Sequence, residues 1–98
     1  MQLHNEISIR FRHLHPSANT IASIYNELEE FKERLPKKAI IRADFTGQNK
    51  FVKATLKVFS PAGQLFTTAS HPSLTVACHE LINHLGRRAQ KMRSKRFR

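Results

Sequence analysis

The chain has 98 residues, 40% of them hydrophobic, so it can form one folded domain and is too apolar to be wholly disordered. Its 17 Lys and Arg against 7 Asp and Glu give a net charge of +10, which predicts attraction to polyanions. The single cysteine, Cys78, excludes a disulfide framework within the chain and fits a reducing, cytoplasmic compartment.

The first predicted elements are a strand and a helix. Apolar and polar side chains alternate along residues 3–12, which is typical of a strand buried on one face. His15-Pro16-Ser17 then ends the strand and offers Ser17 as a helix cap. Apolar residues recur at helical spacing until Pro36, and glutamates fall on the opposite side of this helix. The apolar residues are Ile21, Ile24, Tyr25, Leu28, Phe31 and Leu35, and the glutamates are Glu27, Glu30 and Glu33.

Three more strands are predicted between residues 38 and 69, each with one inward face. Gly47-Gln48-Asn49 predicts the first turn between them, because glycine and asparagine tolerate positive φ, and Ser60-Pro61-Ala62-Gly63 predicts the second. The inward residues are Ala39, Ile41, Ala43 and Phe45, then Val52, Ala54, Leu56 and Val58, then Leu65, Thr67 and Ala69.

A second helix is predicted after His71-Pro72-Ser73, which repeats the earlier helix-start signal. Gly86 costs this helix about 1 kcal/mol relative to alanine, and we expect residues 93–98 to form a frayed basic tail. The apolar stripe of the helix consists of Leu74, Ala77, Cys78, Leu81, Ile82, Leu85, Ala89 and Met92.

The predicted order is βαβββα, an α+β fold. A helix between the first two strands allows a crossover and makes them parallel neighbours, whereas short turns make the other pairs antiparallel. Each helix has one apolar stripe to bury, so both should cover the same sheet face. We therefore expect a two-layer sandwich with a four-stranded mixed sheet, whose order after the first strand matches double-stranded-RNA-binding domains.

The positive charge is concentrated in the second half of the chain. Residues 1–49 carry 7 basic and 6 acidic side chains, a net of +1, whereas residues 50–98 carry 10 basic side chains and only Glu80, a net of +9. Phosphate is the anion that best matches a row of arginine and lysine, although a solvated face kept for solubility is the alternative. Helical periodicity places six side chains on one flank beside the apolar stripe: His84, Arg87, Arg88, Lys91, Lys95 and Arg98.

The outer face of the sheet is a second basic surface. Its aromatic residues could stack bases. We favour the interpretation that they lie at sheet edges or under loops, since base-stacking sheets usually place aromatics centrally. The basic residues are Arg10, Arg12, Arg42, Lys53 and Lys57, and the aromatic residues are Phe51, Phe59 and Phe66.

Catalysis and metal binding are not expected, and no cofactor is predicted. Cys78 and His79 are adjacent on a helix and point in different directions, which does not suit a nucleophile and its base. His13 and His15 share a strand face in this interpretation, but a metal site needs three or four converging ligands. The six histidines are His4, His13, His15, His71, His79 and His84.

Several segments resemble the ribosome hibernation promoting factor and ribosome-associated inhibitor family, in its short form. Arg12-His13-Leu14 matches the residues after the family's first strand, and Ala54-Thr55-Leu56-Lys57-Val58 resembles its third strand. Gly63-Gln64-Leu65 and Thr67-Thr68-Ala69 resemble its fourth strand. Residues 80–88, Glu-Leu-Ile-Asn-His-Leu-Gly-Arg-Arg, resemble its last helix together with the spaced basic positions that follow. The acidic first helix and Gly86 depart from the family's pattern.

The resemblance implies that residues 1–98 are a single domain that binds small-subunit ribosomal RNA at the decoding region. It would silence idle ribosomes by occupying the space of messenger and transfer RNA. The implied contacts come from Arg87, Arg88, Lys91 and Lys95, with Arg12 a weaker candidate. We expect no membrane partner and no small-molecule substrate. We also expect a monomer away from the ribosome, because the dimerisation domain of long members does not follow Arg98.

Two other functions remain open on the sequence. The basic flank could bind an acidic protein, which would make the chain a protein-interaction module. It could also bind double-stranded RNA or DNA without preference for the ribosome.

Overall fold

The computed structural model describes residues 6–61 and 63–96, with side chains for residues 6–61 and 63–88. The observed order is βαβββα, as predicted. The elements are β1 (Ile7–Arg12), α1 (Ala18–Glu33), β2 (Ile40–Gln48), β3 (Phe51–Ser60), β4 (Gly63–His71) and α2 (Leu74–Arg96).

The four strands form one mixed sheet in the order β1-β2-β3-β4. β1 runs parallel to β2, with Ile7 opposite Ile41, because α1 returns the chain to the starting end of the sheet. The β2–β3 and β3–β4 pairs are antiparallel. The predicted α+β fold with a four-stranded mixed sheet is therefore confirmed.

Both helices cover the same face of the sheet, and the core lies between the two layers. The inward residues predicted for β2 and β3 are all buried, whereas β4 contributes buried Thr67 and half-buried Leu65 and Ala69. The strand periodicity therefore identified the core face correctly. The helices contribute Ile24, Leu28, Phe31, Ala77, Cys78, Leu81, Ile82 and Leu85 to the core, and Leu35, just after α1, is buried with them.

Each helix begins at a serine cap, as predicted. The Ser17 hydroxyl accepts a hydrogen bond of 3.1 Å from the backbone N–H of Thr20. The Ser73 hydroxyl accepts one of 3.4 Å from Val76 in the same way. These bonds satisfy donors that the first helical turn leaves unpaired.

The hairpin between β2 and β3 turns two residues later than predicted. Asn49 and Lys50, both with positive φ, form a two-residue turn, while Gly47 and Gln48 remain paired with β3. Gly47 is needed for another reason. A Cβ built on it would stand 2.5 Å from the carbonyl oxygen of His13, so only glycine lets β2 pass the loop after β1.

Two predictions for α1 are also wrong. Ile21 was assigned to the apolar stripe but is 39% exposed, so the buried stripe begins at Ile24. Glu27 was assigned to the solvent side, yet its Oε2 atom lies 3.0 Å from Nε2 of His79 on α2. Glu27 lies at the contact between the two helices. The pattern within one helix cannot show this contact, because the partner helix is remote in sequence.

Helix α2 is continuous through Gly86, where no atom outside the local helix lies within 4 Å of a built Cβ. The helix includes Arg96, and residues 97 and 98 lie outside the described residues, so the frayed tail stays a prediction. Among the described helices, none has the length and apolar character that crossing a membrane requires.

Candidate nucleic-acid interface

The basic flank of α2, defined as His84, Arg87, Arg88, Lys91, Lys95 and Arg98, is the first candidate surface. Its three described side chains, those of His84, Arg87 and Arg88, are all exposed. His84 is three residues from Arg87 and four from Arg88, so it is a neighbour of both on the helix surface, whereas Arg87 and Arg88 are consecutive. The structure thus brings them together as the sequence predicted.

Packing of α2 on the sheet orients this flank. Leu81 and Leu85 are fully buried, and Ile82 is nearly so, which holds one side of the helix against β3 and β4. The 3.6-residue period then leaves residues 84, 87 and 88 beside the buried stripe and open to solvent. A rigidly seated helix keeps these side chains in a constant arrangement along its axis.

Arg88 is fixed to the sheet by a contact that the sequence did not reveal. Its guanidinium Nη1 donates a hydrogen bond of 2.8 Å to the backbone carbonyl of Phe66, on the edge strand β4. A carbonyl does not neutralise the guanidinium charge, so Arg88 keeps its positive charge and its other donors. The bond places that charge where α2 meets the edge of the sheet.

Arg87 and His84 make no ion pair with any other described residue. Arg10 pairs with Asp44 and Lys32 with Glu6, and His79 contacts Glu27, and none of these contacts involves a residue of the basic flank. Arg87 and Lys91 are four residues apart in the sequence, and like charges at that spacing on a helix repel by a few tenths of a kcal/mol. A bound anion would relieve this repulsion, which favours the phosphate interpretation.

Three predicted flank residues fall outside this description. The backbone of α2 includes Lys91 and Lys95, but side chains are not described from residue 89 onward. Arg98 lies outside the described residues altogether. Their part in binding stays a prediction.

Arg12 does not join the basic flank. It is exposed at the end of β1, and it points to the sheet face that the helices leave open. β1 and β4 form opposite edges of the sheet, and α2 packs against β3 and β4. Arg12 therefore belongs to the open face of the sheet.

That open face, defined as the outward positions of the four strands, is a second cationic surface. Its charged residues are Arg10, Arg12, Arg42, Lys53 and Lys57, opposed by Asp44, so five cations less one carboxylate leave +4. The carboxylate meets Arg10 at 3.9 Å, an exposed pair that contributes little to stability. The face is thus positive along most of its width.

Of the three phenylalanines of this face, only Phe66 lies on an edge strand, as expected, whereas Phe51 and Phe59 lie on the interior strand β3. Phe66 is on the edge strand β4 and is 51% exposed. Phe51 and Phe59 lie near the two ends of β3, and Phe51 is 49% exposed. Two of the three rings therefore present about half of their surface to solvent.

The histidines and the cysteine do not form a described metal or nucleophile site. No group of three or more His, Cys, Asp or Glu side chains converges within the described part of the chain. His13 and His15 lie in the loop after β1 rather than on a strand face, and His13 takes a φ of 57°, which corrects that prediction. Cys78 is fully buried, as expected of a structural thiol.

Burial raises the pKa of the Cys78 thiol from 9.0 to about 12, and the adjacent Glu27 carboxylate adds to the shift. The thiol therefore remains protonated and poorly nucleophilic at neutral pH. Glu27 Oε1 is itself buried without a hydrogen-bond partner among the described residues. These groups form a polar contact between the two helices, away from the exposed basic flank.

Two solved structures share this fold. One is a ribosomal subunit interface protein from Coxiella burnetii, 13% identical, with a TM-score of 0.71 over 90% of this chain and 97% of that chain. The other is the N-terminal domain of Thermus thermophilus Protein Y, 16% identical, with a TM-score of 0.73 over 100% of both chains. The resemblance drawn from the sequence is thus borne out at the level of the fold.

No protein-family model matches the sequence, and none of the curated proteins matches it. At identities below one fifth, the two structural likenesses show a shared fold along nearly the whole chain. They do not carry individual binding residues to this protein, because one fold hosts many functions.

Proposed function

We propose that this protein binds ribosomal RNA of the small subunit at the decoding region and blocks messenger and transfer RNA by occupying their space. It would act as a cytoplasmic hibernation factor, as one ribosome-binding domain and without catalysis. The observation that carries the proposal is the exposed basic flank of α2, where Arg87 and Arg88 meet no carboxylate of the described chain. The sequence resemblance, together with the fold shared with a ribosomal subunit interface protein, supports the choice of the ribosome as partner.

Charge and geometry support a polyanion with regularly spaced phosphates. Arginine forks match phosphate oxygens, and a straight helix presents its cations in a row. A net charge of +10 raises the rate of encounter with such a partner and makes the affinity sensitive to salt. A solubility surface would instead mix charges of both signs.

Co-sedimentation with isolated small subunits across a salt series tests binding. If four or five phosphates are neutralised, log affinity should fall against log salt with a slope of roughly −3 to −4.5. Isolated large subunits are the matched control. Pelleting that does not depend on salt, or no pelleting at all, would overturn the proposal.

A second measurement tests the steric block. Initiator transfer RNA prebound to small subunits and messenger should be displaced as the protein is added, and excess transfer RNA should displace the protein. Simultaneous binding of both would place the protein elsewhere on the subunit.

A pull-down with this protein, followed by nuclease treatment, separates the alternatives. An acidic protein partner would remain bound after the treatment, whereas a ribosomal RNA partner would be lost. A general double-stranded RNA binder would be competed away by short duplex RNA as effectively as by small subunits.

A further inference from the structure

Phe66 is a half-exposed aromatic ring on the open face of the sheet, at its β4 edge. It is 51% exposed, and neither helix covers it. The Lys57 Nζ atom lies over its ring, 5.9 Å from the centroid. An exposed ring beside a cation suits a planar ligand that also carries negative charge.

The strand register extends this pair into a row. Arg42 of β2 lies opposite Lys57, and Lys57 lies opposite Phe66. Directly opposed like charges are unfavourable across a sheet, and neither cation has an ion pair with another described residue. The row therefore places Lys57 next to the exposed ring and Arg42 one strand further from it, and both lack an ion pair among the described residues.

Arg88 connects this row with the basic flank. Its guanidinium reaches from α2 to the carbonyl of Phe66 itself, at 2.8 Å. The helix flank and the open sheet face thus meet at the β4 edge, with cations on both sides of Phe66. A single strand could pass from one surface to the other around this edge.

We propose that Phe66 stacks an unpaired nucleobase of RNA, while Lys57 and Arg42 hold the phosphates beside that nucleotide. The ligand class rests on the proposed function, but the site is distinct from the basic flank of α2, for which we propose phosphate contacts alone. Stacking is sequence-tolerant, since every base presents an aromatic face. The protein therefore holds an unpaired nucleotide at the place where its two basic surfaces join.

Phe51 provides a matched control within the same face. It is 49% exposed, and its cross-strand partner is the uncharged Gln48. Its ring lines an open cleft of about 400 Å³ at the hairpin end, together with His13, Lys50 and Pro72. No described cation lies over the Phe51 ring, so it has the exposure of Phe66 without a cation over the ring.

The experiment compares two fluorescein-labelled probes by anisotropy: a short single-stranded RNA and an abasic ribose-phosphate oligomer of equal length. Phe66→Ala should weaken binding of the RNA by about 5- to 100-fold, the usual range for loss of one base stack, and leave the abasic oligomer unchanged. Phe66→Tyr should retain RNA binding, and Phe51→Ala should match the wild type on both probes. Thermal melting of each variant checks folding.

The outcomes separate this site from the proposed function. If Phe66→Ala binds RNA as tightly as wild type, or loses both probes equally, base stacking is overturned while phosphate binding by the flank stands. If wild type binds neither small subunits nor either probe, the proposed function itself fails. A loss confined to the base-containing probe and rescued by tyrosine supports the site.

Discussion

Gly47 of β2 lies directly against the backbone carbonyl of His13, so closely that any Cβ at Gly47 would stand 2.5 Å from that oxygen. The same Cβ would stand 2.9 Å from Cδ2 of Leu14. The loop after β1 is thus seated on the β2 strand at a position that accepts no side chain. This contact fixes where the chain leaves the sheet before α1.

Gly47→Ala should destabilise the protein by about 1–3 kcal/mol, because the added methyl group forces backbone atoms apart. The free energy of unfolding, measured by urea titration, checks this. The obstructing atom is a main-chain oxygen, which cannot rotate away as a side chain would. An unchanged urea midpoint would show that the loop after β1 can shift away from the added methyl group.

Gly86→Ala is the matched control and should have the opposite sign. Gly86 is helical, and a Cβ there meets open space, so alanine restores helix propensity and should stabilise by about 1 kcal/mol. The same urea titration measures it. Destabilisation would mean that Gly86 has a packing role that the described contacts do not contain.

Arg87→Glu should weaken binding to the small subunit and reduce the magnitude of the salt slope by about 1, as expected for losing one phosphate contact. Combined with Lys91→Glu, it should abolish co-sedimentation. The free energy of unfolding should change by at most about 0.5 kcal/mol per substitution, because Arg87 is exposed and has no ion-pair partner among the described residues.

Lys37→Glu is the control for that reversal. Lys37 is exposed in the connection between α1 and β2, and its reversal changes the net charge by the same amount. It should leave the salt slope unchanged, because no phosphate contact is lost. If both reversals weaken binding equally, overall charge, rather than the basic flank, governs the affinity.

Arg88→Met should lower the free energy of unfolding by about 0.5–1 kcal/mol, through loss of the hydrogen bond to the Phe66 carbonyl at an exposed site. Arg87→Met, one residue away and without that bond, should stay within about 0.5 kcal/mol of wild type. Denaturant titration gives both values. The ¹³C shift of the Phe66 carbonyl should move in the Arg88 variant only.

Stability should fall at alkaline pH through Cys78. The folded-state pKa is raised to about 12, whereas the unfolded thiol ionises near its ordinary value of 9.0. Between these values the unfolded chain binds fewer protons, so stability is retained below about pH 9 and lost as the pH rises toward 12. Urea titrations of wild type and Cys78→Ala across this interval measure the difference. Parallel pH profiles for the two proteins would contradict the assignment.

Most of the fold could be predicted from the sequence because its elements follow local periodicities. Alternation along β2 and β3 identified every buried residue of those strands, and the spacing in α2 identified its buried residues, Ala77, Cys78, Leu81, Ile82 and Leu85. Ser17 and Ser73 were recognisable as caps because capping depends on residues within one turn. The exposed cluster of His84, Arg87 and Arg88 followed from the same period.

The hairpin turn is predicted too early because a glycine that a turn requires and a glycine that a close backbone contact requires look the same in sequence. Gly47 was read as a turn residue, but its constraint comes from His13, which only the parallel β1–β2 pairing brings near. Glu27 was similarly placed on the solvent side, because its partner His79 is on the other helix. No signal within either segment reports such contacts.

The sequence by itself determined which strand residues face the core, how the elements follow one another, and that positive charge gathers in the second half. Only the tertiary structure decided that Arg88 reaches the edge carbonyl of Phe66 and that Lys57 lies over the Phe66 ring. Burial follows a period of two or 3.6 residues along the chain, whereas polar contacts depend on which remote segments packing brings within hydrogen-bond distance.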